Sequence, residues 1–164
     1  MPTGQLMHRP ARIADLDEVV GFPRSADELF YCFPRATWPL TLDQLAEAVA
    51  QRRDSQVALY DGRLAGFVNF YQWAEGESCT LGNLMVAGWA REHGVASYLV
   101  GVMEDLARRH YHAQRLKLSC FNGNASGLLF YTRLGYRPTG IVERRDRHDE
   151  RVALIQLEKS LEPA

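Results

Sequence analysis

Arg91, Gly94, Ala96, Asn124 and Tyr131 are the residues whose types and spacing point most directly to chemistry. At Arg91-Glu92-His93-Gly94-Val95-Ala96 an apolar strand pattern over residues 79–86 gives way, through a short turn, to residues spaced as a helix. A helix leaves its first-turn N–H groups unpaired, and its dipole adds partial positive charge there. Gly94 and Ala96 are small enough for a ligand to come close to that backbone, and Arg91 adds a full charge at its mouth. Such a strand–turn–helix junction is a cradle for a pyrophosphate. Neither a GxxxxGK[ST] loop nor a GxGxxG fingerprint occurs.

Other chemistry has little support. The histidines show no metal-ligand spacing, and His110 and His112, two apart, cannot share a helical face, so no metal is expected. Cys32, Cys79 and Cys120 are widely separated and odd in number, which reads as free thiols. A formal net charge of −1 argues against a dedicated nucleic-acid binder but leaves room for a local basic patch. No apolar run approaches the roughly 18–20 residues that cross a bilayer. Residues 1–5 have neither the basic start nor the apolar stretch of a secretory signal. A cytoplasmic protein without a membrane partner is the expectation.

The elements that position these residues follow from pattern. At 164 residues the chain is read as one domain, 1–164. Residues 8–13 read as an edge strand that tolerates Pro10, and Asp15 as the N-cap of a helix holding Leu16 and Val19. An aromatic stretch, 29–38, is broken by Pro34 and Pro39. Thr41 and Gln44 form a capping-box pattern before Leu42, Leu45 and Val49. Strands 55–60 and 64–73 flank Asp61-Gly62, a type I′ turn signal, and 79–86 is a further strand. From Gly94 to about His110 a long helix places Val95, Leu99, Val102, Leu106 and His110 on one face. Leu116, Leu118 and Cys120 alternate as in a strand, and a helix through Leu128, Leu129 and Tyr131 ends at Gly135. Strands 139–144 and 151–157 flank a charge run read as a solvated hairpin loop. This order fits an α/β protein with a mixed, mostly antiparallel sheet and helices on both faces.

Arg91-x-x-Gly94-x-Ala96 resembles R/Q-x-x-G-x-G/A, the acyl-CoA pyrophosphate motif of the GNAT acetyltransferases. Asn124, then Tyr131 and Gly135-Tyr136, resembles the family's second block, N-x-x-A-x-x-L-Y-x-x-x-G-F. One helix and one strand separate the blocks, as in the family, and the likeness runs from Arg9-Pro10-Ala11 to the strand ending at Leu157. The resemblance implies the GNAT fold, with a splayed strand pair in its central sheet, and acetyl-CoA as co-substrate. Met85 and Val86 would pair their backbone with the pantetheine arm. Arg91 and the N–H groups across Glu92, His93, Gly94, Val95, Ala96 and Ser97 would hold the pyrophosphate. Asn124 would cap its helix and reach the cofactor.

The implied reaction is direct attack of a primary amine on the thioester in a ternary complex, with Tyr131 as general acid for the departing thiolate. Glu77 is the first candidate base, ahead of Glu75 and Glu143. The segment 30–38 lies where family members build the acceptor site. Ser119 stands where many peptide N-terminal acetylases carry a glutamate, which favours a small-molecule amine over a protein or peptide amine. Gly127 and Ala87-Gly88-Trp89 are further departures from the family pattern. A non-catalytic acyl-CoA binding module is the rival reading, and Tyr131 speaks against it. An exposed C-terminal strand edge offers a route to a homodimer.

Overall fold

The computed structural model describes residues 4–161; Met1, Pro2 and Thr3, part of the terminal stretch considered above, lie outside them. Its strands are β1 (Leu6–Pro10), β2 (Arg53–Tyr60), β3 (Arg63–Ala74), β4 (Ser78–Val86), β5 (Arg115–Phe121), β6 (Arg137–Arg145) and β7 (Arg151–Ser160). They form one sheet in the order β1-β2-β3-β4-β5-β7-β6, antiparallel except where β4 meets β5. The helices are α1 (Leu16–Val19), α2 (Ala26–Cys32), α3 (Leu42–Gln51), α4 (Val95–His110) and α5 (Ala125–Arg133).

Strand β3 is the centre of the core. Seven successive residues from Leu64 to Phe70 are buried, which requires cover on both faces of the sheet. On one face α4 lies so close that a Cβ at Gly66 would come 2.7 Å from Val95 and 2.9 Å from Leu99. On the other, α1 and α3 pack on β3 and β2. The buried face of α4 is Val95, Leu99, Val100, Met103 and Ala107. Val102 and Leu106 flank that stripe and His110 is exposed, so the expected face is rotated by about one residue beyond the first turn.

Several local signals act as read. Thr41 Oγ1 accepts from the Gln44 N–H at 3.3 Å, and Asp61 and Gly62 take φ of 51° and 81°. The Gln44 side chain does not return to the Thr41 N–H; it bonds Thr37, the Pro39 carbonyl and the Thr41 hydroxyl instead. The N-terminal end differs more. The strand stops at Pro10 and residues Ile13–Asp15 form a 3₁₀ turn. Asp15 does occupy the N-cap position of α1, but its side chain makes no capping bond to that helix. Its carboxylate accepts from Arg9 Nη1 and Nη2 at 2.7 and 2.9 Å and from the Arg12 N–H at 2.7 Å, stapling β1 to the turn. No helix among the described residues is long and apolar enough to cross a membrane.

The Arg9 hydrogen bonds hold the Asp15 carboxyl below its usual pKa against the opposing effect of burial. Its contribution to stability is therefore present above the unfolded-state value and lost as pH falls through the folded one. Asp15→Asn is expected to lose about 1–2 kcal/mol in urea unfolding at neutral pH. The gap to the native protein should close as pH drops below about 4.

Candidate active site

Strands β4 and β5 pair at three positions only: Ser78 with Arg115, Cys79 with Leu116 and Thr80 with Lys117. Beyond them β4 stays on β3 as far as Val86, and β5 stays on β7 as far as Phe121. From Leu81 and Leu118 onward the two strands have no strand partner on their facing sides. Backbone groups there require water or a ligand.

Within β4, Asn83 takes φ of 52°, next to a register shift against β3. Its buried side chain accepts from Asn69 Nδ2 at 3.0 Å and donates to the Cys32 carbonyl at 3.0 Å. Helix α2 is thereby tied to β4, while the Phe30 ring packs on Phe121 of β5 at 4.3 Å between centroids. The aromatic helix α2 therefore straddles the opening and is anchored to both of its arms.

The cleft so formed has a volume of about 1170 Å³. That exceeds the ~300–1000 Å³ usual for one small ligand, so it has room for an extended cofactor and a second substrate. Met85, Val86, Arg91, Asn124 and Tyr131 all line it. At its mouth Glu92 and Gly94 have φ of 66° and 78°, and Gly94 is the N-cap of α4 with no side-chain cap. Tyr98 N–H to Gly94 carbonyl closes the first helical turn, so the N–H groups of Val95, Ala96 and Ser97 precede the ladder. No acidic residue stands in that turn, and a Cβ at Gly94 would meet no protein atom within 4 Å. Left-handed residues beside an uncapped helix start make an anion-binding concavity that a phosphate can approach unobstructed. The exposed His93 ring lies against Tyr60, 5.0 Å between centroids.

Arg91 is in place at this mouth but is paired with Glu28 of α2. Burial raises the Glu28 carboxyl, yet Arg91 and the Arg24 N–H outweigh it and hold it below the usual range. Asn124 caps α5, its Oδ1 accepting from the Gly127 N–H at 3.1 Å. The hydroxyl of Tyr131, half-buried on α5, makes no hydrogen bond among the described residues. Burial, and after it the neighbouring Cys120 and Cys32, push its hydroxyl well above the tyrosine range. Its ring stacks edge-on with Tyr136 at 6.1 Å, and Tyr136 is fixed by donating to Glu104 of α4 at 2.8 Å.

Glu77 is not brought to this cleft. It is exposed in the β3–β4 turn, its carbonyl accepting from Gln114 and Arg115 at the closed end of the strand pair. The nine residues of β4, roughly 25–30 Å of strand, separate it from the mouth. Glu75 bonds His112 at 2.7 Å at that same closed end, and Glu143 is paired with Arg151 in the exposed β6–β7 hairpin. Among the described residues no His, Cys, Asp and Glu side chains cluster as a metal site. Sequence reasoning missed Asn83 and Arg52. An asparagine interrupting an apolar strand pattern was the available signal for the first.

The sequence model of the acetyltransferase (GNAT) family matches residues 17–136. The chain belongs to the GNAT acetyltransferase family. It is therefore an acetyl-CoA-dependent N-acetyltransferase, and its fold is shared with solved GNAT structures. An acetyltransferase of the family from Bacillus anthracis superposes with a TM-score of 0.78 at 15% identity, covering 99% of each chain. A ribosomal-protein-alanine N-acetyltransferase from Brucella melitensis gives 0.73 at 20% identity, over 94% of this chain and 99% of that one. A Salmonella typhimurium protein solved with its cofactor acetyl-CoA gives 0.72 at 17%, over 97% and 95%. No curated protein matches the chain in sequence.

Asn83→Ala in this GNAT domain leaves the Asn69 amide and the Cys32 carbonyl without their partner. A loss of about 2 kcal/mol is expected in urea unfolding.

Proposed function

We propose that acetyl-CoA lies between the parted strands, its pantetheine along Met85 and Val86 and its pyrophosphate on the N-terminus of α4. In this reading Tyr131 protonates the departing thiolate while a small-molecule primary amine attacks directly. The observation that carries it is one cleft lined by unpaired β4 backbone, by a tyrosine hydroxyl without a hydrogen bond among the described residues, and by Arg91, three residues before the uncapped start of α4.

The fit is chemical as well as spatial. The cofactor's extended amide arm matches the backbone groups that β4 leaves unpaired, and its pyrophosphate matches the N–H groups of Glu92, His93, Gly94, Val95, Ala96 and Ser97. On its arrival the phosphates compete with Glu28 for Arg91. Asn124, at the cleft wall, is placed to reach the arm with the Nδ2 that its capping bond leaves over.

The amine's lone pair forms the C–N bond as the C–S bond breaks; the Tyr131 hydroxyl supplies the proton to sulfur and is restored by the proton that the nitrogen loses as the amide forms. A hydroxyl with a raised pKa is protonated at every working pH. The two carboxylates that line the cleft, Glu28 and Glu158, are each held by an arginine. The substrate ammonium accordingly gives its proton to water in the open cleft, a role in which Glu77 has no part. A covalent acetyl-cysteine route is disfavoured. Cys32 lines the cleft, but burial pushes its thiol up to about 12, leaving almost no thiolate at neutral pH.

Thiol release from acetyl-CoA with an accepted amine tests this. Tyr131→Phe should lower kcat by about 10²-fold with acetyl-CoA affinity unchanged, whereas Cys32→Ala should stay within about threefold of the native rate. kcat/KM should climb with pH up to the acceptor's own pKa and show no falling limb from Tyr131 below about pH 10. Full activity in Tyr131→Phe, or an acetylated Cys32 in the mass spectrum, would contradict the mechanism.

A further inference from the structure

We infer that the acceptor amine carries an anionic group beside it, a carboxylate or a phosphonate, and that Arg52 and Arg35 receive that group. The inference rests on the acetyl-transfer reading and names its substrate class.

Arg52 follows the last turn of α3 and is half-buried in the cleft wall. Its guanidinium lies against β4 at Gly82, where a Cβ would come 2.3 Å from Nη1, so a side chain there would displace it from this position. Gly82 is two residues past Thr80, the last β4 residue paired with β5. The guanidinium therefore stands at the apex where the strands begin to part. The pyrophosphate cradle is elsewhere, beyond Val86, about 13 Å further along the strand.

Arg52 is supported without being neutralised. It packs on the Tyr71 ring at 5.0 Å and the Phe33 ring at 5.7 Å. Its one side-chain hydrogen bond among the described residues is to a neutral acceptor, Asn69 Oδ1 at 3.3 Å. A guanidinium has five N–H donors in a planar fork suited to a bidentate anion, and here most are unused. Burial depresses its pKa, Tyr71 opposes that, and the charge of Arg35 pulls the same way as burial. Arg35 thus adds like charge beside Arg52, and it too lines the cleft. A half-buried cation with a second cation as neighbour and no carboxylate among the described residues is an arrangement that an incoming anion relieves.

The rest of the lining points the same way. Its carboxylates, Glu28 and Glu158, are occupied by Arg91 and Arg115, while Lys117 at the apex has no carboxylate partner among the described residues. Nothing in the wall is built to receive a polycation. An α-amino acid has the matching shape: with its carboxylate on Arg52, its amine lies one carbon away, at the head of the gap that holds the thioester.

Acetyl transfer to matched pairs decides the matter: L-amino acids against their α-amides, and 2-aminoethylphosphonate against ethanolamine, with spermidine as a polycation. The anionic member of at least one pair should be preferred by about tenfold or more in kcat/KM. Arg52→Gln should raise KM for that substrate by about tenfold or more, with acetyl-CoA affinity within about twofold and with Arg52→Lys recovering part of the loss. Arg35→Gln, at an exposed position where folding is not at stake, should raise the same KM by a smaller factor. Equal or better transfer to the amides, ethanolamine or spermidine overturns the anionic site and leaves acetyl transfer standing. An unchanged KM in both arginine variants overturns it as well. Failure to bind acetyl-CoA, or silence across every member of the panel, overturns the acetyl-transfer reading together with it.

Discussion

The rest of the structure depends on the short seam between β4 and β5. Three parallel pairs join the two halves of the sheet, and after them each strand stays with its own antiparallel partner. Leaving backbone donors and acceptors unpaired in the middle of a sheet is costly unless water or a ligand meets them. The fold accepts that cost because each half is well buried on its own. Strand β3 is covered on both faces, and β5 and β7 pair along their whole shared length. The positive φ of Asn83, fixed by its bonds to Asn69 and Cys32, holds β4 to a course separate from β5.

Helix α2 turns that opening into a cleft. It is bound to β4 through the Cys32 carbonyl and to β5 through Phe30, and its Glu28 reaches Arg91 at the mouth. The charges are distributed with the same economy of position. The chain has a net charge of −1, yet the cleft wall gathers arginines and a lysine around two carboxylates that are already engaged. A near-neutral composition thus conceals a strongly positive interior, because the compensating acidic residues lie on other surfaces.

Much of this was legible in the sequence where a local rule governs. The Asp61-Gly62 turn, the Thr41 cap, the glycine opening α4 and the alternation in β5 are settled within a few residues, and they stand as read. What escaped is what distant contacts decide. Asp15 has the right type for a cap, but Arg9 and the Arg12 N–H offer its carboxylate stronger partners. The inward face of α4 passes through Met103 and Ala107 because packing on the sheet, not side-chain hydrophobicity, selects it. Glu77 precedes the right strand but stands at its closed end, a distinction that only the strand pairing reveals. Arg52 has no motif around it; its place is set by a glycine thirty residues on and by two rings from other elements.

The central claim is that the gap between β4 and β5 is the slot for the cofactor. Backbone hydrogen exchange with and without acetyl-CoA tests it most directly. The account predicts that binding slows exchange in residues 81–86 of β4 and 92–97 at the start of α4, while β1, β2 and β6 are unchanged. Saturation with acetyl-CoA that leaves both of those segments exchanging as before would contradict it.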